Sequence, residues 1–111
     1  MDTLNKYRKI IEKVLLDYAA VPYAHGKFET EIIFDQQRDR YLLMNVGWDN
    51  GHRVHGCIIH IDIISEKIWI QRDGTENGIA LDLEEAGIPK NRIVLGFREP
   101  ELRPYTGYAT V

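Results

Sequence analysis

The sequence predicts a single α+β domain spanning residues 1–111, an antiparallel meander sheet of about four to five strands with a long N-terminal helix on one face and a short second helix. Two observations carry this. Residues 41–71, YLLMNVGWDNGHRVHGCIIHIDIISEKIWIQ, read as three consecutive strands joined by tight turns, because runs rich in Val, Ile, Tyr and Trp bounded by Gly, Asn and Asp are a strand signal. Residues 3–20 place Leu4, Tyr7, Ile11, Val14, Leu15 and Tyr18 at helical spacing, with Ile10 widening the stripe.

Within the meander, Asn50-Gly51 is the strongest hairpin signal, since a type I′ turn needs positive φ at both central positions. A two-residue loop there sets Asp49 opposite His52, Met44 opposite Cys57 and Leu42 opposite Ile59. Ser65-Glu66 is chemically weaker as a turn, but the same geometry sets Ile63 opposite Ile68 and Ile61 opposite Ile70. The two hairpins then agree on an apolar face of Leu42, Met44, Val46, His55, Cys57, Ile59, Ile61, Ile63, Ile68 and Ile70. The second face carries Tyr41, Leu43, Asn45, Val54, Ile58, His60, Asp62, Lys67, Trp69 and Gln71. A slip of one residue would exchange the faces, so the agreement supports the register. The first face is expected as core under the helix. The second is mixed, as for a surface that meets a partner.

The other elements follow in order. Asp2 or Thr3 can cap the first helix, and Val21-Pro22 ends it because Pro biases its predecessor away from helical angles. Residues 27–34, KFETEIIF, alternate as a half-buried strand, with charges that suit an edge. Residues 35–39 turn into the meander, and an odd loop would place Ile32 and Leu42 on one face. After Gln71, the loop RDGTENG leads into a short helix, about residues 78–86, which Thr75 or Asn77 could cap. Gly87, Ile88 and Pro89 mark its end. Residues 93–97 read as a fifth short strand, and the tail interleaves Arg and Pro with Tyr105 and Tyr108.

Length suits one domain with one core. With 28% charged residues and a net charge of −3, no Lys/Arg excess supports broad nucleic-acid binding, so direct nucleic-acid contact is disfavoured. One cysteine excludes an intramolecular disulfide. No apolar run is long enough for a membrane span, and the start MDTLNKYRK lacks a signal-peptide apolar region, so a cytoplasmic location is expected.

Chemistry is sparse. His55 and Cys57 share a strand face, as metal ligands would, but no third or fourth ligand accompanies them, and a free Cys is usually a small buried hydrophobe. His60 and Asp62 share the other face, a pairing that serves proton transfer or simply satisfies polar groups. The loop at 72–78 matches neither phosphate-binding pattern, and Asp73 and Glu76 would repel an anion. No metal, cofactor or catalytic set is expected, and the chain is read as a non-enzyme. Arg and Tyr are favoured at interface hot spots, which makes Trp48, His60, Asp62, Trp69, Gln71, Arg98, Arg103, Tyr105 and Tyr108 the expected contact surface.

Several ordered segments then carry a resemblance. They are Tyr23; Phe34-Asp35, Arg38-Asp39 and Tyr41; Val46-Gly47-Trp48; Arg53-Val54-His55-Gly56-Cys57; and His60-Ile61-Asp62-Ile63. They continue through Lys67-Ile68-Trp69-Ile70-Gln71, Asp73-Gly74-Thr75-Glu76, Gly78-Ile79-Ala80, Ala86-Gly87-Ile88-Pro89, Ile93-Val94-Leu95-Gly96-Phe97, Arg103 and Thr106-Gly107-Tyr108-Ala109. In this order and spacing they resemble the XisI family, the fdxN-element excision controlling factors common in cyanobacteria. The resemblance implies an accessory in programmed DNA excision during heterocyst differentiation, acting with a XisH-like partner while a separate site-specific recombinase cuts and joins the DNA. It supplies no catalytic residues. Relatives often carry His and Pro after the Gly-Phe pair, where this chain has Arg98-Glu99-Pro100. The competing readings are a small-ligand or enzymatic domain using His60, Asp62 and the loop 73–76, and a DNA-binding homo-oligomer.

Overall fold

The computed structural model describes residues 2–21 and 27–111. Helix α1 (Thr3–Ala19) begins at Asp2, whose carboxylate accepts the Leu4 N–H at 3.1 Å, and buries Tyr7, Ile11 and Leu15. Pro22 and Tyr23, named above, lie outside the described residues. The strands are β1 (Lys27–Asp35), β2 (Arg40–Asp49), β3 (His52–Ile64), β4 (Lys67–Asp73) and β5 (Ile93–Leu95), in sheet order β1-β2-β3-β4-β5. Helix α2 (Ile79–Glu85) links β4 to β5. The first four strands form the expected antiparallel meander. The fifth runs parallel to β4, because a helical crossover returns the chain to its starting end.

Both tight turns carry positive φ at both central residues, Asn50 and Gly51 in one, Ser65 and Glu66 in the other. The pairs Asp49↔His52, Met44↔Cys57, Ile63↔Ile68 and Ile61↔Ile70 form as expected. Leu42 opposite Ile59 does not. Ile58 is an extra residue in β3, so Leu43 pairs with Ile59 and Leu42 with His60. A single added residue inverts the alternation on one side of the bulge. Tyr41 and Leu43 therefore go under the helices, each fully buried with Ile59, Ile61, Ile68 and Ile70. Leu42, Met44, Val46, His55 and Cys57 turn to the opposite face instead, a correction to the expected core. The β1–β2 loop spans four residues rather than an odd number, and pairs Ile32 with Leu43 and Ile33 with Leu42.

A second bulge lies in β4, where Gln71 intervenes between Ile61↔Ile70 and His60↔Arg72. It sends Asp73 to the helix side. There Asp73 Oδ2 accepts the Ile79 N–H at 2.9 Å, while Oδ1 accepts the Thr75 N–H and hydroxyl. Asp73 is thus the side chain that tethers the start of α2. Thr75 accepts the Gly78 N–H at 3.1 Å in support. At the other end Gly87 takes φ 119, its N–H reaches the Glu84 carbonyl, and the Ile88 N–H reaches the Leu83 carbonyl, the paired bonds of a Schellman stop. Ile88 is driven into the core.

Candidate functional site

The face of the sheet away from the helices is open, and its β3–β4 end gathers several of the expected contact residues. His60 Nε2 lies 2.8 Å from Asp62 Oδ1, and Gln71 Nε2 donates to Asp62 Oδ2 at 3.4 Å. The Asp62 side chain is 14% exposed and that of His60 30%. Trp69 pairs with Asp62 across β3 and β4, so its ring stands beside this network. The tail then folds back along the β5 edge. The Ala109 N–H donates to the Ile93 carbonyl at 2.9 Å, forming a parallel bridge between Val94 and Ala109.

This path brings the Arg103 guanidinium 5.1 Å above the Trp69 ring, while Arg103 Nε donates to the Arg98 carbonyl at 3.1 Å. Gly96 permits the approach. A Cβ there would sit 2.7 Å from Gln71 Oε1 and 3.1 Å from Trp69. Arg98 stacks 5.1 Å from the Phe97 ring, and Tyr105 projects into solvent, 86% exposed. His60, Asp62, Trp69, Gln71 and Arg103 thus converge, with Arg98 and Tyr105 on the same tail. Phe97, not singled out from sequence, joins them at 41% exposure. As part of an apolar strand-like run, it carried no signal of its own.

Two expected residues stand apart. Trp48 lies at the far end of β2, where Arg53 stacks 5.3 Å from its ring. Arg53 and His60 are seven positions apart on β3, roughly 20 Å at the usual strand rise. Tyr108 faces α2 and packs against the core, its hydroxyl donating to Glu84 Oε2 at 2.6 Å. Burial, and then the Glu84 carboxylate, push its phenol up to about 12.

Elsewhere the possible chemistry is committed to structure. Cys57 Sγ donates to the Ile59 carbonyl at 3.3 Å, and burial pushes its thiol up, away from the nucleophilic thiolate. His55 and Cys57 do share a face, but no group of three His, Cys, Asp or Glu among the described residues is placed to hold a metal ion. An open cleft of about 750 Å³ lies between Tyr18, the bulged end of β3 and the loop Gly74–Gly78, with Arg72, Glu76 and Asp82 on its walls. His60 and Asp62 do not line it. The loop and the His–Asp pair therefore do not converge on one cavity. No helix among the described residues is long and apolar enough to cross a membrane.

Comparison with known proteins places this architecture. No curated protein matches the chain. The crystal structure of a XisI-like protein from Anabaena variabilis ATCC 29413 is 37% identical, with a TM-score of 0.86 over 98% of this chain and 100% of that one. The structure of the fdxN element excision controlling factor XisI from the same organism is 35% identical, with a TM-score of 0.83 over 99% of this chain and 100% of that one. The family described as XisI protein matches residues 1–110, and this chain belongs to it.

Proposed function

We propose that this chain is a non-enzymatic, cytoplasmic accessory of DNA element excision in a cyanobacterium. It binds a XisH-like protein and so controls excision during heterocyst differentiation, while a separate recombinase performs the DNA chemistry. Family membership supports the excision context, since one similar protein is an fdxN element excision controlling factor. A binding role is supported by the surface where Arg103 stacks on Trp69 beside the His60–Asp62 pair, with Tyr105 free to solvent. Aromatic and Arg side chains held rigid on a half-exposed surface are what interface anchors require.

The reading is tested by co-expressing the chain with a XisH-like protein and measuring co-purification. Wild type retains the partner, and Arg103→Glu combined with Tyr105→Ala releases it while leaving the circular dichroism spectrum unchanged. Full retention by the double variant would reject this surface. Failure of the wild-type chain to capture any XisH-like protein would reject the partner class.

A further inference from the structure

Strand β3 outruns one of its neighbours. It is 13 residues long, and β2 pairs with it over residues 52–62, but β4 pairs only with residues 59–64. The strands part at Gly74, whose N–H donates to the Ile58 carbonyl at 2.7 Å. Residues 52–57 have no strand beside them on that side among the described residues. In a two-residue hairpin the closing pair, here Asp49↔His52, bonds inward, and the antiparallel ladder then alternates. The N–H and C=O groups of Arg53, His55 and Cys57 therefore point outward. An unpaired row of this kind is a template for another chain.

The open cleft of about 750 Å³ lies along this edge, lined by Val54 and Ile58 of β3 and Tyr18 of α1. A Cβ added to Gly56 would meet nothing within 4 Å, so a large side chain has room there. Glu76 and Asp82, both exposed, line the same cleft and disfavour an acid on the helix side. Arg72 stands level with His60, on the open-face side. It is exposed and makes no hydrogen bond or ion pair among the described residues. Burial pushes the Cys57 thiol up and the Arg72 charge pulls against it, which places the guanidinium near Cys57. We infer that an extended segment of another protein adds to β3 along residues 53–57, with a carboxylate side chain on Arg72 and a large apolar side chain in the cleft over Gly56. Successive residues of a strand point to opposite faces, so these two side chains belong to consecutive positions of the segment. Main-chain bonds to Arg53, His55 and Cys57 hold the segment, and its alternate side chains select it, as in other cases of strand addition. This edge is separate from the tail cluster and does not depend on what docks there.

The test selects phage-displayed random heptapeptides on the full purified chain and titrates the strongest, synthesised with a fluorophore, by anisotropy. Selected peptides carry Asp or Glu next to a large apolar residue. Arg72→Glu weakens binding at least about tenfold by setting like charges together. N-methylation of the peptide amides one at a time weakens binding with a period of two, because only alternate N–H groups face β3. Hydrogen exchange at the Arg53, His55 and Cys57 amides is rapid in the chain alone and slows when the peptide binds. The Arg103→Glu, Tyr105→Ala variant binds the peptide as wild type does. The absence of any selected peptide, full binding by Arg72→Glu, or N-methylation without the two-residue period would each overturn the inference. So would slow exchange at those three amides without peptide, because the chain itself or a second copy would then fill the edge. Loss of peptide binding in the tail variant would also overturn it, by assigning the peptide to the tail cluster.

Discussion

Arg8 holds Asp39 through two hydrogen bonds, from Nε to Oδ1 at 2.7 Å and from a terminal nitrogen to Oδ2 at 3.0 Å. The pair joins the first half of α1 to the β1–β2 turn, thirty-one residues away in sequence. Asp39 takes φ 53, accepts the Tyr41 hydroxyl at 3.3 Å, and its backbone carbonyl accepts the Ile63 N–H. One turn residue thus fastens the helix, the core tyrosine and β3 together. Arg8→Met is expected to lower stability by about 1–3 kcal/mol, the range for a charge-assisted, partly buried hydrogen-bonded pair. Asp39→Asn, which tolerates the left-handed conformation and keeps one acceptor, should cost less than Asp39→Ala. Urea unfolding of the single variants and of Arg8→Met with Asp39→Asn checks this. Additive losses would show that the two side chains do not act as a unit.

Alkaline stability should follow two phenols, the buried Tyr41 and the half-buried Tyr108. Burial first, and then the nearby Asp39 carboxylate, push Tyr41 up to about 12, and Tyr108 is raised similarly by burial and Glu84. Their folded values lie above the ordinary 10.0, so their contribution is complete below pH 10.0 and is lost as pH rises toward about 12. The unfolded chain ionises first and is favoured in that window. Denaturant midpoints for wild type should therefore fall between pH 10.0 and about 12, and Tyr108→Phe should fall less steeply. An unchanged slope in Tyr108→Phe would dissociate that phenol from the effect.

Gly96 is where β5 gives way to the tail against Trp69 and Gln71. An added Cβ would approach Gln71 Oε1 to 2.7 Å, Trp69 Cε3 to 3.1 Å and the Ile70 carbonyl oxygen to 3.2 Å. The Gln71 side chain can swing away, but the β4 backbone and the Trp69 ring cannot both yield. Gly96→Ala should therefore cost about 1–3 kcal/mol, as overpacking does. In a Trp48→Phe background it should also shift the emission of Trp69, the remaining tryptophan. Unaltered emission and midpoint would mean that the strand and ring accommodate the methyl freely.

The parts of this fold that were legible in the sequence are those set within a few residues. Asn50-Gly51 encodes its turn through the sign of φ, and Gly87-Ile88 stops α2 because only a residue free of Cβ strain readily takes φ 119 there. The α1 stripe reads directly from 3.6-residue periodicity. In the candidate surface, the pairing of His60 with Asp62 was legible because i, i+2 neighbours on a strand share a face. The placement of Arg103 over Trp69 was not, since those residues are thirty-four positions apart and meet only through the path of the tail around β5.

The sequence by itself therefore determined the main elements, the two tight turns at Asn50-Gly51 and Ser65-Glu66, and the antiparallel order of the first four strands. All of these follow from local backbone preferences and hydrophobic period. Only the tertiary structure decided which face of β2 is core. Both Tyr41-Leu43 and Leu42-Met44 offer apolar alternation, and the extra residue at Ile58 selects the first by setting Leu43 opposite the buried Ile59 and Tyr41 opposite the buried Ile61. That choice is a sum over packing from α1, α2 and four strands, a quantity no short window of residues contains. It is also what turned Met44 and Val46 outward, onto the open face of the sheet.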